Sequence, residues 1–201
     1  MTQKFSHETI SLHKTSSGLN FEIEVWRYYH PQANQTIYIQ AGIHGIEITG
    51  IPVVYEFMNE IENNQLTYNF ICVPISNPMG LDSQIMGVQT GYNNLHTNQQ
   101  NCWNWNRITN LKDEPSQEGH WIRTLLDLAE PADLVLDLHT AGVETVPHIY
   151  SHISETKHAE GLGIPHIISW IHPSYSFADT CLLYTSPSPR DRTRSRMPSS
   201  A

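Results

Sequence analysis

Short apolar, β-branched runs alternate with amphipathic segments along this chain, and this alternation constrains its fold more than any other feature. Residues 36–43, 68–75 and 132–138 are such runs, each of a length that suits one buried strand. Between them, residues 51–61 and 120–128 place apolar side chains at helical spacing. Strands that alternate with helices predict an α/β fold with a mixed, largely parallel sheet flanked by helices.

An antiparallel hairpin is expected before the first of these strands. Residues 19–26 alternate apolar and polar side chains, the period of a half-buried strand, and residues 5–12 can pair with them across a turn at residues 16–18. Residues 76–116 are irregular and rich in Asn and Gln, and so long a loop in a compact domain is usually functional or disordered. A short helix is predicted at residues 155–162.

Composition excludes several classes of function. The chain has 201 residues and a formal net charge of −9, which suits one acidic domain and disfavours nucleic acid or an anionic membrane as a partner. No apolar run approaches the roughly 20 residues of a membrane-spanning helix, and no secretory signal is visible. Three cysteines without paired spacing argue against a disulfide scaffold or a thiolate zinc site. A cytoplasmic location is therefore expected.

The C-terminal residues 181–201 differ in composition from the rest of the chain. They hold four of the seven arginines, a single acid and many Ser and Pro residues. As natural sequence they would form a disordered basic tail. However, they resemble the translation of a transposase-based sequencing adapter, which favours a non-native, disordered read-through tail. We therefore expect an authentic domain at residues 1–180, with seven Lys+Arg against nineteen Asp+Glu, that is incomplete at its C-terminus.

Two of the apolar runs end in a histidine. His44 follows the first run and His139 the third, and ligands of open α/β sheets bind at the carboxyl ends of strands. Glu47 lies three residues after His44, so these three side chains form a two-histidine, one-glutamate set of the kind that holds catalytic zinc. Asp137 lies two residues before His139, on the same strand face, where it could accept the second ring N–H of that histidine.

The spacing alone leaves other interpretations open. His152 and Glu155 repeat the same H-x-x-E pattern, a histidine after a strand is often only a turn residue, and Glu47 could be a solvated acid at a helix start. Trp103 and Trp105 could wall a pocket or pack in the core. Five further histidines are irregularly spaced, which favours scattered polar residues over a second metal site: His148, His152, His158, His166 and His172.

Four motifs in a fixed order resemble those of a known family. They are AGIHGIE at residues 41–47, NPMG at 77–80, NR at 106–107 and DLH at 137–139. Together they look like the signature of the succinylglutamate desuccinylase/aspartoacylase family, which are zinc hydrolases related to the metallocarboxypeptidases. The resemblance runs from about residue 36 to about residue 150 and implies a metallocarboxypeptidase-like fold.

The resemblance also implies roles for individual residues. His44, Glu47 and His139 would hold one zinc ion. Asn106 and Arg107 would bind the carboxylate of the substrate, a task that suits the planar guanidinium of arginine. In this family a zinc-bound water attacks an amide carbonyl, with a glutamate as the general base.

One departure from the family pattern concerns the oxyanion. Family members carry an arginine shortly before the Asn-Arg pair, where it steadies the developing negative charge, but residues 97–101 contain no cation. Either Asn98 or Gln99 donates a neutral hydrogen bond instead, or zinc alone polarises the carbonyl. The class of substrate is correspondingly open.

A second departure concerns the general base. The catalytic glutamate is expected well after the last zinc ligand, beyond residue 180, so residues 1–180 would be a partial zinc-hydrolase catalytic domain, inactive in this chain. Three nearer acids lie too close to the last ligand and are interpreted as surface residues: Glu144, Glu155 and Glu160.

The features together predict a zinc-dependent amidohydrolase that cleaves an N-acyl amino acid or a similar carboxylate-bearing amide. A metallocarboxypeptidase or cell-wall peptide amidase, acting on a peptide, is the nearest alternative, because a carboxylate clamp suits both substrates. A metal- or carboxylate-binding domain without catalysis is a third possibility, favoured by the missing oxyanion arginine and general base.

Overall fold

The computed structural model describes residues 4–14, 16–85, 88–89, 93–94, 103–140, 145–171 and 176–177. Its strands are β1 (Ser6–Lys14), β2 (Asn20–Tyr28), β3 (Thr36–Ala41), β4 (Asn69–Val73), β5 (Gln84–Ile85), β6 (Val88–Gln89), β7 (Asn93–Asn94), β8 (Trp103–Asn104), β9 (Leu134–Leu138), β10 (Ile149–His152) and β11 (Ile167–Trp170). Its α-helices are α1 (Gly50–Asn64), α2 (Pro78–Asp82), α3 (Gln117–Ala129) and α4 (Thr156–Gly161). Short 3-10 turns cover Trp105–Arg107, Thr109–Leu111 and Ile153–Glu155.

A five-stranded sheet in the order β1-β2-β4-β3-β9 forms the centre of the fold. The strands β4, β3 and β9 run parallel, whereas β1 and β2 form the predicted antiparallel hairpin and β2 pairs antiparallel with β4. The predicted mixed α/β fold is confirmed. The strands β3 and β4 end two residues before the predicted runs do, because the chain leaves the ladder to form the loops that build the site.

Both faces of the sheet are covered by helices. On one face, α1 buries Val54 and Ile61 in a cluster with Phe70 of β4. On the other face, α3 buries Trp121 and Leu125 in a cluster with residues of the hairpin, β3 and β4. Apolar side chains on both faces of β3 and β4 account for the nearly continuous apolar runs that predicted buried strands.

The carboxyl ends of β3 and β9 lie side by side, since Ala41 pairs with Leu138. His44 lies three residues after the end of β3, and His139 lies one residue after the end of β9. Parallel pairing therefore brings two segments that lie far apart in the sequence to the same edge of the sheet.

The remaining elements lie outside this sheet. The strands β10 and β11 form a separate parallel pair, and α4 between them agrees with the helix predicted at residues 155–162. Two short antiparallel pairs, β5–β6 and β7–β8, fall within the region predicted to be irregular. No helix in the described ranges is long and apolar enough to cross a membrane. Residues 181–201 lie outside the described residues, so the boundary at residue 180 stays a prediction.

Candidate metal centre

The loop between β3 and α1 carries the first two predicted ligands. Gly42 adopts a φ of +68°, a left-handed conformation that favours glycine, and it turns the chain out of the strand. The backbone N–H of Glu47 then donates to the carbonyl oxygen of His44 at 2.9 Å, which closes a tight turn. This turn brings the side chains of His44 and Glu47 into contact.

Glu47 joins the two histidines. Its Oε1 lies 2.8 Å from Nδ1 of His44, and its Oε2 lies 3.0 Å from Nδ1 of His139. The backbone N–H of Thr140 donates to the same Oε2 at 2.9 Å. One nitrogen or oxygen atom from each of the three side chains lies within 4.8 Å of the other two. The structure thus brings together the three residues predicted as ligands.

The far nitrogens of the two imidazoles also have oxygen partners. Asp137 Oδ2 lies 2.8 Å from Nε2 of His139, as the two-residue spacing predicts. Asn104 Oδ1 lies 2.8 Å from Nε2 of His44, and it also accepts the backbone N–H of Asn106 at 2.9 Å. Sequence reasoning missed Asn104, although its position two residues before the Asn-Arg pair could have drawn attention to it.

The charges at the site favour a cation. Burial alone would raise the pKa of Glu47, but hydrogen bonds from His139, His44 and the Thr140 backbone lower it to about 2. Burial would lower the pKa of His139, but the charge and hydrogen bond of Asp137, together with those of Glu47, raise it to about 10. Without a metal ion, a proton on His139 supplies the positive charge that these two carboxylates stabilise.

The donor chemistry fits a divalent metal ion. Two imidazole nitrogens and one carboxylate oxygen converge. If an ion bound the Nδ1 atoms, each Nε2–H would still have an acceptor, Asn104 for His44 and Asp137 for His139. In the described part of the chain, no other three His, Cys, Asp or Glu side chains converge in this way.

Comparison with known proteins identifies the family. Residues 33–180 match the model of the succinylglutamate desuccinylase/aspartoacylase catalytic domain. The chain belongs to the succinylglutamate desuccinylase/aspartoacylase family. This family consists of hydrolases. No curated protein sequence matches the chain.

Solved structures show that the fold is that of the desuccinylase/aspartoacylase family. A Shewanella frigidimarina protein assigned to this family is 20% identical with a TM-score of 0.76, covering 96% of this chain and 62% of its own. The ectoine utilization protein of Ruegeria pomeroyi, solved with its product, is 18% identical with a TM-score of 0.69. The match covers 94% of the present chain and 63% of that protein. Carboxypeptidase A from Helicoverpa armigera is 13% identical with a TM-score of 0.59. The match covers 89% of the present chain and 57% of that protein. The present chain therefore spans less than two thirds of each of these proteins.

The Asn-Arg pair of the desuccinylase/aspartoacylase resemblance lies beside the centre, but its two side chains differ. Asn106 is buried, with its Oδ1 accepting the backbone N–H of Phe177 at 2.7 Å and its Nδ2 3.2 Å from Nε2 of His139. Arg107 is exposed, and its guanidinium donates to the carbonyl oxygen of Asn106 at 2.7 Å. Arg107 is thus the more accessible of the two residues predicted to bind a carboxylate.

Several other predicted residues lie away from the centre. Trp105 is buried and packs against Trp121 with ring centroids 4.4 Å apart, so it belongs to the core. Glu155 accepts from Nδ1 of His158 at 2.8 Å, and the second H-x-x-E pattern does not form part of a three-residue cluster. Some predictions fall outside the described residues, namely those on Asn98, Gln99, Glu144 and His172; the side chain of Trp103 is likewise not described.

Proposed function

We propose that this chain carries the metal-binding part of a zinc-dependent hydrolase, and that the whole protein cleaves the amide bond of an N-acyl amino acid or a similar carboxylate-bearing substrate. The convergence of His44, Glu47 and His139 within 4.8 Å supports this most strongly. Catalytic zinc sites use three such nitrogen and oxygen ligands and keep a fourth position for water. Structural zinc sites are usually closed by four protein ligands instead.

Each residue of the centre has a distinct part in this proposal. Glu47 and the Nδ1 atoms of both histidines would hold the ion, while Asp137 and Asn104 keep a proton on each Nε2 and so direct the Nδ1 lone pairs inward. Zinc, when bound, supplies Lewis acidity toward a carbonyl and lowers the pKa of water.

Substrate binding and proton transfer need further groups. Arg107 would bind the substrate carboxylate through its exposed guanidinium, with the buried Asn106 supporting the turn that carries it. Both carboxylates of the centre, Glu47 and Asp137, already bind imidazoles, so neither suits the task of general base. We therefore keep the prediction that a glutamate after residue 180 fills this role.

The broader predictions remain part of the proposal. The formal charge of −9 supports a protein with neither nucleic acid nor an anionic membrane as a partner. A small-molecule substrate and a cytoplasmic location are proposed with it. Residues 1–180 would form the partial catalytic domain, and residues 181–201 would take no part in its chemistry.

Metal analysis of the purified protein tests the proposal. We expect about one zinc per chain in the parent protein, and none in the double variant His44→Ala/His139→Ala. The matched control is His158→Ala/His166→Ala, which removes two histidines outside the centre and should keep the zinc. Equal zinc in the parent protein and in the His44/His139 variant would refute the metal centre.

An activity panel then separates the classes of substrate. We expect a longer form of the protein, in which natural sequence after position 180 replaces residues 181–201, to release free amino acid from N-acyl amino acids. Release of a C-terminal residue from peptides instead would favour the carboxypeptidase alternative. Zinc binding without hydrolysis of either class would favour a binding domain.

A further inference from the structure

We propose that residues 76–80, the SNPMG segment that follows β4 and includes the first turn of α2, here called the brace, position His44 within the centre. The inference rests on the proposed function insofar as His44 is a metal ligand there. The brace contains the NPMG motif, to which neither the resemblance nor the metal geometry assigns a role. It has no titratable side chain, so any effect on the centre passes through hydrogen bonds and packing.

Asn77 holds the residue before His44. Its side chain is fully buried, and its Nδ2 donates to the carbonyl oxygen of Ile43 at 3.0 Å. Its Oδ1 accepts the backbone N–H of Gly80 at 2.8 Å, which caps the first turn of α2. One amide side chain therefore connects the start of α2 to the backbone next to the candidate ligand.

Gly80 meets the residue after His44. A Cβ atom added to Gly45 would overlap the carbonyl carbon of Gly80 and the backbone nitrogen of Leu81. The two backbones are therefore in direct contact, and any side chain at position 45 would separate them. The brace thus contacts the chain on both sides of His44.

Ser76 anchors the brace to the rest of the fold. Its backbone N–H and its hydroxyl both donate to the carbonyl oxygen of Ala41, at 2.9 and 2.8 Å, at the end of β3. Its own carbonyl oxygen accepts the indole N–H of Trp121 from α3 at 2.8 Å. Ser76 is buried, and a buried donor or acceptor that loses its hydrogen-bond partner lowers the stability of the fold.

These contacts make the brace a positioning device. The sheet end and α3 fix Ser76, and the brace in turn fixes Ile43 and Gly45, so the backbone of His44 has little freedom. Metal affinity depends on how well the ligands are held before the ion arrives, and loss of supporting contacts typically lowers it by 10–100-fold. Asn77 is the residue that carries the hydrogen bond to the ligand loop.

The test is the substitution Asn77→Asp in the full chain. Aspartate caps a helix as well as asparagine does, so the bond from Gly80 is kept, but an ionised carboxylate cannot donate to the Ile43 carbonyl. The readouts are the affinity for Co²⁺, the visible spectrum of the bound Co²⁺, and the ring resonances of His44 in metal-free protein. We expect affinity to fall by about tenfold or more, with a changed spectrum and shifted resonances.

The matched control is Asn69→Asp. Asn69 also accepts a backbone N–H, that of His30 at 3.0 Å, and donates to a neighbouring side chain, but it lies at the opposite end of β4. We expect it to lower the melting temperature without changing Co²⁺ affinity or the His44 resonances. If Asn77→Asp behaves like this control, the brace is merely structural and the inference is wrong, while the proposed metal site stands.

Two further outcomes are covered. If the parent protein binds no Co²⁺, the proposed function fails, whereas unchanged His44 resonances in Asn77→Asp would separately refute the brace. If Asn77→Asp does not fold, Ser76→Ala replaces it, because this variant keeps the backbone bond to Ala41 and loses only the hydroxyl. It should change the same readouts in the same direction by a smaller factor, and no change would overturn the inference.

Discussion

Replacing Glu47 with glutamine tests the electrostatics of the centre most directly. The Glu47 carboxylate is 11% exposed and faces the Nδ1 atoms of His44 and His139 and the backbone N–H of Thr140. Glutamine has nearly the same shape but no charge, and its terminal NH₂ group would face a donor. Glu47→Gln should therefore destabilise the metal-free protein as well as abolish tight zinc binding.

The pKa gives the size of this effect. The pKa of Glu47 is about 2 in the folded protein against an ordinary value of 4.5. Each unit corresponds to about 1.36 kcal/mol, so the interactions of the ionised carboxylate contribute about 3 kcal/mol to the free energy of unfolding at pH 7. For a chain of this size, we expect the melting temperature to fall by about 6–12 °C.

The pH dependence has a definite sign. Because the pKa of Glu47 is lower in the folded than in the unfolded protein, the stabilisation is complete above pH 4.5 and is lost as the pH falls through about 2. Urea denaturation of both proteins with a chelator present, at pH 7 and near pH 2, measures this. Equal stability at pH 7, or a parental advantage that persists near pH 2, would refute the argument. Added zinc should stabilise only the parent protein.

Three further predictions concern neighbouring groups. Asn104→Ala removes the acceptor for Nε2 of His44 and should lower zinc affinity by about 10–100-fold in a chelator competition, and unchanged affinity would contradict that role. Trp121→Phe leaves the buried carbonyl oxygen of Ser76 without its donor and should lower the free energy of unfolding by about 1–3 kcal/mol or more, as measured by denaturation. Burial raises the pKa of Cys72 to about 12, so peptide mapping should find this thiol unmodified by a thiol reagent at pH 8 in folded protein and modified in urea.

The convergence of His44, Glu47 and His139 could be predicted from the sequence because it depends on strand ends. Apolar runs of strand length are visible in the sequence, and parallel pairing of β3 with β9 brings His44 and His139 to one edge whatever the details of the loops. The position of Asp137 follows in the same way, since residues two apart on a strand share a face.

The supporting contacts could not be predicted in this way. Asn104 reaches His44 across 60 residues, and Asn77 reaches Ile43 across 34. Each contact is made by a loop whose conformation depends on the packed core beneath it, and no periodicity in the sequence specifies such a loop. An amide in a loop predicts a hydrogen bond, but its partner is set by the tertiary structure.

Exposure differs among the three side chains of the centre. The side chains of His44 and Glu47 are 7% and 11% exposed, whereas that of His139 is 32% exposed. The brace contacts the backbone on both sides of His44 and Asn104 contacts its ring, so His139 is the most exposed of the three side chains. The buried Asn106 contacts His139 on that side, and the exposed Arg107 follows it directly in the chain. If Arg107 binds the substrate carboxylate as proposed, the substrate would therefore approach the metal site past His139.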